Sequence, residues 1–279
     1  MKKVRGSELI DLGLDGKRAI VAGAGYIPGR AGHGRWTSLR LGAAGATVAC
    51  VDIHEGRAKA IVSEIETAGG KAFPVIGDMT DRAQVEQAIT EAAAEMGGVD
   101  LLVDIIGQAN WSKAEDVTVD HWDWEIANNL THVFNLFAAA GRQLIRQGTG
   151  GAMVAIASVD GINAAKYHAP YGAAKAGVIS LVKSFADEFG RHGVRVNCVA
   201  PGNVGSGNED QPEGEYDVNG INPLAAPRNF DVANAVLFLC SSLSERITGH
   251  TIPVDGGATI HELWRISGDR VLAEYGPAD

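Results

Sequence analysis

The sequence predicts an α/β fold of the Rossmann type: a doubly wound, seven-stranded parallel sheet with helices on both faces. Three observations predict it. Short β-rich apolar runs alternate along the chain with longer stretches rich in Ala, Leu, Glu and Arg at helical spacing. The apolar runs are near-continuous, which is how strands covered on both faces read. A glycine-rich stretch, AGAGYIPGRAGHGRW at residues 22 to 36, lies between the first strand and the first helix, where helix amides can meet an anion.

The elements follow in order. RAIVAG from residue 18 is the first strand, and RWTSLRLGAAG is the helix that leads into the second, ATVACVD from 46. GRAKAIVSEIETAG precedes the third strand, KAFPVIG from 71, and DRAQVEQAITEAAAEMG precedes the fourth, VDLLVDII from 99. GAMVAIAS from 151, VRVNCVA from 194 and TIPVD from 251 complete the sheet. These helical stretches end at glycines, which stop helices by adopting a left-handed conformation. Two segments break the rhythm: GNEDQPEGEYDVNGIN at 207–222, expected as an inserted lid, and the tail 258–279. No repeat or linker divides residues 1–279, so a single domain is expected.

Composition excludes several kinds of partner. With 279 residues, 46% of them hydrophobic, the chain can bury one large core unaided. Its formal charge of -10 repels nucleic-acid phosphates and anionic lipid, which leaves a small molecule as the expected partner. Cys50, Cys198 and Cys240 lie far apart in apolar stretches, without the spacing of a zinc or redox motif, and are expected as buried thiols with no metal site. No apolar run approaches a membrane span, and the basic start MKKVR leads into the mixed SELIDLGLDG, so a cytoplasmic protein is expected.

The glycine run has the flanks of a phosphate loop, a strand before it and a helix after it. Asp52 ends the second strand 18 residues past Gly34, where a carboxylate can accept from ribose hydroxyls and repel a 2′-phosphate. With these residues the chain resembles the short-chain dehydrogenase/reductase family, whose first turn reads Thr-Gly, three residues, then Gly-Ile-Gly. Alignment from the helix side sets Gly32-His33-Gly34 on Gly-Ile-Gly and Ala22-Gly23 on Thr-Gly, with five extra residues between. Gly23, Gly32 and Gly34 are then the turn, Gly25 assists, and Tyr26 to Ala31 bulge outwards. Arg30 on that bulge either reaches a pyrophosphate oxygen or is solvated. The resemblance implies NAD as cofactor and places Asp78 and Met79 at the adenine ring, although Asp78 also reads as a helix cap before DRAQVEQ. It also places Gly107, the one match of DIIG to the family's Asn-Asn-Ala-Gly, beside the cofactor. A carboxylate at Asp104, where the family has asparagine, can still accept from backbone amides.

The strongest signal is Ser158 at the end of a strand, followed 13 residues later by Tyr171 in YGAAK, which ends at Lys175. Residues four apart share a helix face, so Tyr171 and Lys175 point the same way, with Ser158 across a cleft. A free phenol titrates near ~10, and lowering that by about three units takes roughly 4 kcal/mol. One ammonium at about 4 Å supplies on the order of 4 kcal/mol in an effective dielectric of about 20. Lys175 is therefore expected to activate Tyr171. By resemblance, Tyr171 exchanges the substrate proton, Ser158 bonds the substrate oxygen, Lys175 also grips the nicotinamide ribose, and Asn129 orders a proton path, with Asn128 next to it. The loop Pro201-Gly202-Asn203-Val204-Gly205-Ser206 matches the family's Pro-Gly loop, implying that Val204 and Ser206 hold the carboxamide.

The implied activity is hydride transfer between NAD and a secondary alcohol or ketone. The alternative is a nucleotide-binding regulatory protein of the same fold without catalysis, suggested by the lengthened turn and DIIG. Reduction of an activated carbon–carbon double bond is a third reading, disfavoured by the three-residue gap of YGAAK. Trp111, Asn163, Tyr167, His168 and Asn203 are expected to line a cleft of mixed polarity, and Trp122 and Trp124 to pack or form an interface. Acidic residues in 207–222 either attract a cation or are simply solvated. Resemblance over DVANAVLFLCSSLSERITGHTIPVDGG implies a homotetramer or homodimer.

Overall fold

A computed structural model of the protein describes residues 11–27, 32–164, 166–204 and 224–260. Its strands are β1 (Arg18–Ala22), β2 (Thr47–Asp52), β3 (Lys71–Ile76), β4 (Leu101–Asp104), β5 (Gly151–Ile156), β6 (Val194–Pro201) and β7 (Thr251–Val254). Each lies within a strand predicted from sequence except β6, which extends one residue further, to Pro201. They form one seven-stranded sheet in the order β3-β2-β1-β4-β5-β6-β7, and each neighbouring pair is parallel.

The helices are α1 (His33–Ala43), α2 (Glu55–Thr67), α3 (Arg82–Met96), α4 (Val119–Ile126), α5 (His132–Gln147), α6 (Ala169–Gly190) and α7 (Asn229–Cys240). Alternate residues of the strands feed two separate cores. Ile20 and Ala22 of β1 and Leu102 of β4 join Leu136 and Phe137 of α5 and Val178 and Val182 of α6 on one face. Ala19 and Val21, with Leu101 and Val103, join Leu41 of α1, Ile61 of α2 and Val236 of α7 on the other. Coverage of both faces is why the strands read as unbroken apolar runs.

Chain direction decides where a ligand can bind. From β1 the connections run outwards through β2 to β3, and the chain then returns to β4 on the other side of β1. Diverging crossovers leave a crevice at the carboxyl ends of β1 and β4. Helix ends follow the predicted chemistry: Gly97 and Gly148 cap α3 and α5 in the left-handed region, at φ 70° and 68°. Two boundaries differ from expectation. α1 starts at His33, two residues before Arg35, and α3 is capped by Asp81, whose side chain accepts from Ala83 and Gln84 amides, instead of Asp78. Asp78 accepts from the amide and hydroxyl of Thr80. All three cysteines are buried free thiols, with Cys50 and Cys240 pushed up to about 12 and Cys198 to about 11, mainly by burial.

Residues 28–31 including Arg30, Ser206, segment 207–222 and tail residues 261–279 lie outside the described residues. Among those described, no helix is long and apolar enough to cross a membrane. Phe137, at 0% exposure between β-sheet and α6, tests the core. Phe137→Ala is expected to lower unfolding free energy by about 3–5 kcal/mol, read as a lower urea midpoint with unchanged slope.

Candidate active site

At the carboxyl end of β1 the chain turns through Gly23, at φ 80°, while α1 approaches from its N-terminus. A Cβ at Gly34 would run into the Gly23 carbonyl, so only glycine lets the helix start come this close. Gly25 passes against the Asp52 carboxylate in the same way, and Asp52 also accepts from the His54 amide at 2.8 Å. Gly32 caps α1 without a side-chain bond, and no acidic residue occupies its first turn. These uncapped amides, the partial positive charge of the helix end and the missing Cβ atoms fit a dinucleotide pyrophosphate, with Asp52 at the ribose. Beside them His33 is pushed down to about 4 by burial and, second, by the Lys175 ammonium, and its Nδ1 has no partner among the described residues. Tyr26 departs from the outward bulge expected of it: it packs against the core on the α1 side, with the Arg35 guanidinium 5.8 Å from its ring. Met79 is buried in the opposite core, so only its backbone can face a ligand.

Ser158, Tyr171 and Lys175 meet at the end of β5. The short turn Val159–Gly161 after Ser158 lies directly on the start of α6, where Gly161 would clash with the Lys175 backbone and Gly172 with the Asp160 carbonyl if either carried a Cβ. That close approach puts the Ser158 hydroxyl within reach of the Tyr171 phenol. Lys175 is only 1% exposed. Its Nζ donates to the Ile156 carbonyl at 2.8 Å and lies 5.6 Å from the Tyr171 ring centroid. Gly107 leaves room beside both Lys175 Nζ and Asn129 Oδ1.

Asn129 lies in a single π-helical turn, Ala127–Thr131, that joins α4 to α5, with the His132 amide reaching back to the Ala127 carbonyl. Such wide turns reorient one side chain within an otherwise regular helix. Asn129 is fully buried, donating to the Gln108 carbonyl at 2.8 Å and to Glu125 Oε2 at 2.7 Å while accepting from the Gln108 amide at 3.1 Å. Asn128 instead bonds the Trp124 carbonyl. The structure therefore separates the two asparagines, and Asn129 is the one that lies beside Gly107 and Lys175.

Two buried groups, Glu125 and His132, escaped the sequence reading. Glu125, at 0% exposure, accepts from Asn129 and from the Asn110 amide at 2.7 Å. A glutamate four residues before Asn129 on a helix was the available signal. Asp104 accepts from the Ile106 amide at 3.1 Å, as a carboxylate there can, and also pairs with buried His132 at 3.1 Å. Nothing local announces that pair, since its members are 28 residues apart.

Enclosure of the phenol reverses one expectation. Tyr171 is pushed up to about 12, chiefly by burial; the Ser158 hydrogen bond opposes this, and Asp160 and Glu125 add to it. Lys175 is itself pushed down to about 8 by burial, with Asp104 foremost among the groups supporting its charge. A lone ammonium does not activate this phenol because desolvation outweighs it and because Nζ is turned to a carbonyl. Asp104 and Glu125 both favour the lysine charge, and Glu125 at the same time disfavours the phenolate nearby.

Of the predicted cleft residues, Trp111 is exposed and stacks on His168, Tyr167 is exposed, and Asn163 and Asn203 are exposed. Pro201 ends β6, and the Gly202 amide donates to Val254 of β7 at 2.9 Å, pinning the Pro-Gly loop; Val204 packs against the core on the α1 side.

Comparison with known proteins gives concordant results. The family described as enoyl-(acyl carrier protein) reductase matches residues 29–259. L-rhamnose 1-dehydrogenase (NAD(P)(+)) from Sphingomonas is 33% identical, covering 89% of this chain and 98% of that one. Gluconate 5-dehydrogenase from Burkholderia cenocepacia, solved with NADP and tartrate, superposes with TM-score 0.81 at 30% identity, covering 90% and 98%. Carveol dehydrogenase from Mycobacterium avium, solved with NAD, superposes with TM-score 0.79 at 27% identity, covering 88% and 99%.

Removing the Asp160 charge should favour the phenolate, because that charge holds the Tyr171 value up. In ¹³Cζ-tyrosine NMR, the Tyr171 resonance, assigned with Tyr171→Phe, is expected to remain a phenol above about pH 10; Asp160→Asn is expected to start its ionisation at lower pH.

Proposed function

The chain belongs to the short-chain dehydrogenase/reductase family, whose members are oxidoreductases that use nicotinamide cofactors, and from that premise we propose that it is an NAD-dependent enzyme interconverting a secondary alcohol and a ketone. One observation carries the reading: Ser158, Tyr171, Lys175 and Asn129 converge beside the uncapped α1 and its glycine turn. When bound, the nicotinamide accepts or supplies the hydride. Tyr171 takes or gives the hydroxyl proton, and Ser158 bonds the substrate oxygen as negative charge grows on it. Lys175 holds the nicotinamide ribose, and Asn129, locked by Glu125 and Gln108, orders the exit of the proton. Gly23, Gly25, Gly32, His33 and Gly34 would hold the pyrophosphate, Asp78, Met79 and Gly107 the rest of the nucleotide, and Pro201, Gly202 and Val204 the carboxamide, the role expected of Ser206 falling outside the described residues.

NAD is preferred over NADP because the Asp52 carboxylate, packed on Gly25, would face a 2′-phosphate with like charge. The relatives' names do not choose between the two cofactors, nor between polyhydroxylated and terpene alcohols. With the phenol pushed up to about 12, the base form is scarce at neutral pH, so alcohol oxidation should climb as pH rises and ketone reduction should be favoured at lower pH. Exposed Trp122 and Phe134, on the consecutive helices α4 and α5, support self-association as a homotetramer or homodimer. Three free thiols support a cytoplasmic setting.

Tyr171→Phe is expected to cut turnover by about 10² to 10⁴-fold while NADH fluorescence still reports binding. Full activity in that variant overturns the assignment. Cofactor binding with no oxidation in a broad alcohol panel supports the regulatory alternative instead. Asp52→Ser is expected to narrow the NAD preference by about tenfold or more, equivalent to about 1.4 kcal/mol, read as the ratio of kcat/KM for the two coenzymes.

A further inference from the structure

His168 immediately precedes α6, three residues before Tyr171, and its imidazole meets the Tyr171 ring edge-on at 5.6 Å between centroids. Its Nδ1 lies 2.8 Å from Asp160 Oδ2. The Asp160 amide in turn donates to Ser158 Oγ at 3.1 Å, so this pair is built onto the catalytic serine. A carboxylate only accepts, so Nδ1 carries the proton that faces it, and the neutral imidazole presents Nε2 as an acceptor. That Nε2 is buried and has no partner among the described residues, on a side chain only 10% exposed. A buried polar atom without a partner is costly and calls for a reason.

Two neighbouring features point to a ligand as that reason. The Trp111 indole lies against the imidazole, 3.6 Å between centroids, yet is itself 71% exposed, an aromatic surface open beside His168. Tyr167, next to His168, holds φ 70°, a left-handed conformation that is strained for an aromatic residue. The Ser112 amide fixes this kink by donating to the Tyr167 carbonyl at 3.0 Å, which ties the Trp111 loop to the segment that aims His168.

We propose that His168, oriented by Asp160, receives a second hydroxyl of the substrate, so that the reacting alcohol belongs to a polyhydroxylated compound, a polyol or sugar, whose carbon skeleton lies against Trp111. An Nε2 acceptor selects an O–H donor, and Ser158 and Tyr171 on the adjacent turn take the reacting oxygen. This subsite rests on the oxidoreductase reading above. A site built to bond a hydroxyl discriminates strongly against an analogue that lacks it.

The test compares C4–C6 polyols with matching monohydric alcohols, 2-butanol and 3-hexanol, using NAD and NADP in turn. The native enzyme is expected to favour the polyols in kcat/KM. In His168→Leu the polyol-to-monohydric ratio is expected to fall by about ten- to a hundredfold, mostly through KM, with NADH fluorescence confirming a folded protein. His168→Gln, whose amide oxygen can accept, should restore part of the ratio. Equal use of both classes by the native enzyme, or an unchanged ratio in His168→Leu, overturns the subsite alone. No coenzyme reduction with any alcohol overturns the oxidoreductase reading and the subsite with it.

Discussion

Burying the Lys175 ammonium to 1% exposure costs more solvation than a single contact returns, so several elements must share its support. The Ile156 carbonyl at the end of β5 accepts from Nζ, and the carboxylates of Asp104, from β4, and Glu125, from α4, favour its charge. Both carboxylates are in turn held by His132, Asn129 and backbone amides. One charge therefore ties together β4, β5, α4, α5 and α6 at the edge of the sheet where the chain leaves its cofactor crevice. Strong mutual dependence of this kind makes the arrangement specific, since loss of one partner leaves another buried charge exposed to the same penalty.

Burial and neighbouring carboxylates set the resting state of the phenol. Asp160 and Glu125 raise it, burial raises it further, and the Ser158 hydroxyl is the opposing contact. In this environment the proton is kept on Tyr171 at neutral pH. Asp160 has a second employment, since the carboxylate that disfavours the phenolate also orients His168. The ionisation of Tyr171 and the orientation of His168 are thus linked at one residue.

Glycine makes these approaches possible at two places. Gly23 and Gly34 allow α1 to start against the β1 turn, and Gly161 and Gly172 allow the turn after β5 to lie on α6. Backbone-to-backbone packing is stiffer than packing through side chains, which suits a site whose groups must hold position to a fraction of an ångström.

From the sequence alone, each strand was legible as an unbroken apolar run, because burial on both faces removes the need for polar alternation. Ser158, Tyr171 and Lys175 were legible because a strand end and a four-residue helical step are local geometry, and Asp52 because it closes the strand after the glycine turn. What only the tertiary structure decided depends on contacts across the chain. Asp81 and Asp78 are both aspartates ahead of α3, and only the folded backbone shows which one caps it. Asp104 finds His132 and Glu125 is sealed from water through packing that no local pattern encodes. The phenol's resistance to ionising has the same origin: desolvation is a property of the enclosure around a group, and the enclosure exists only once the sheet and its helices have closed over it.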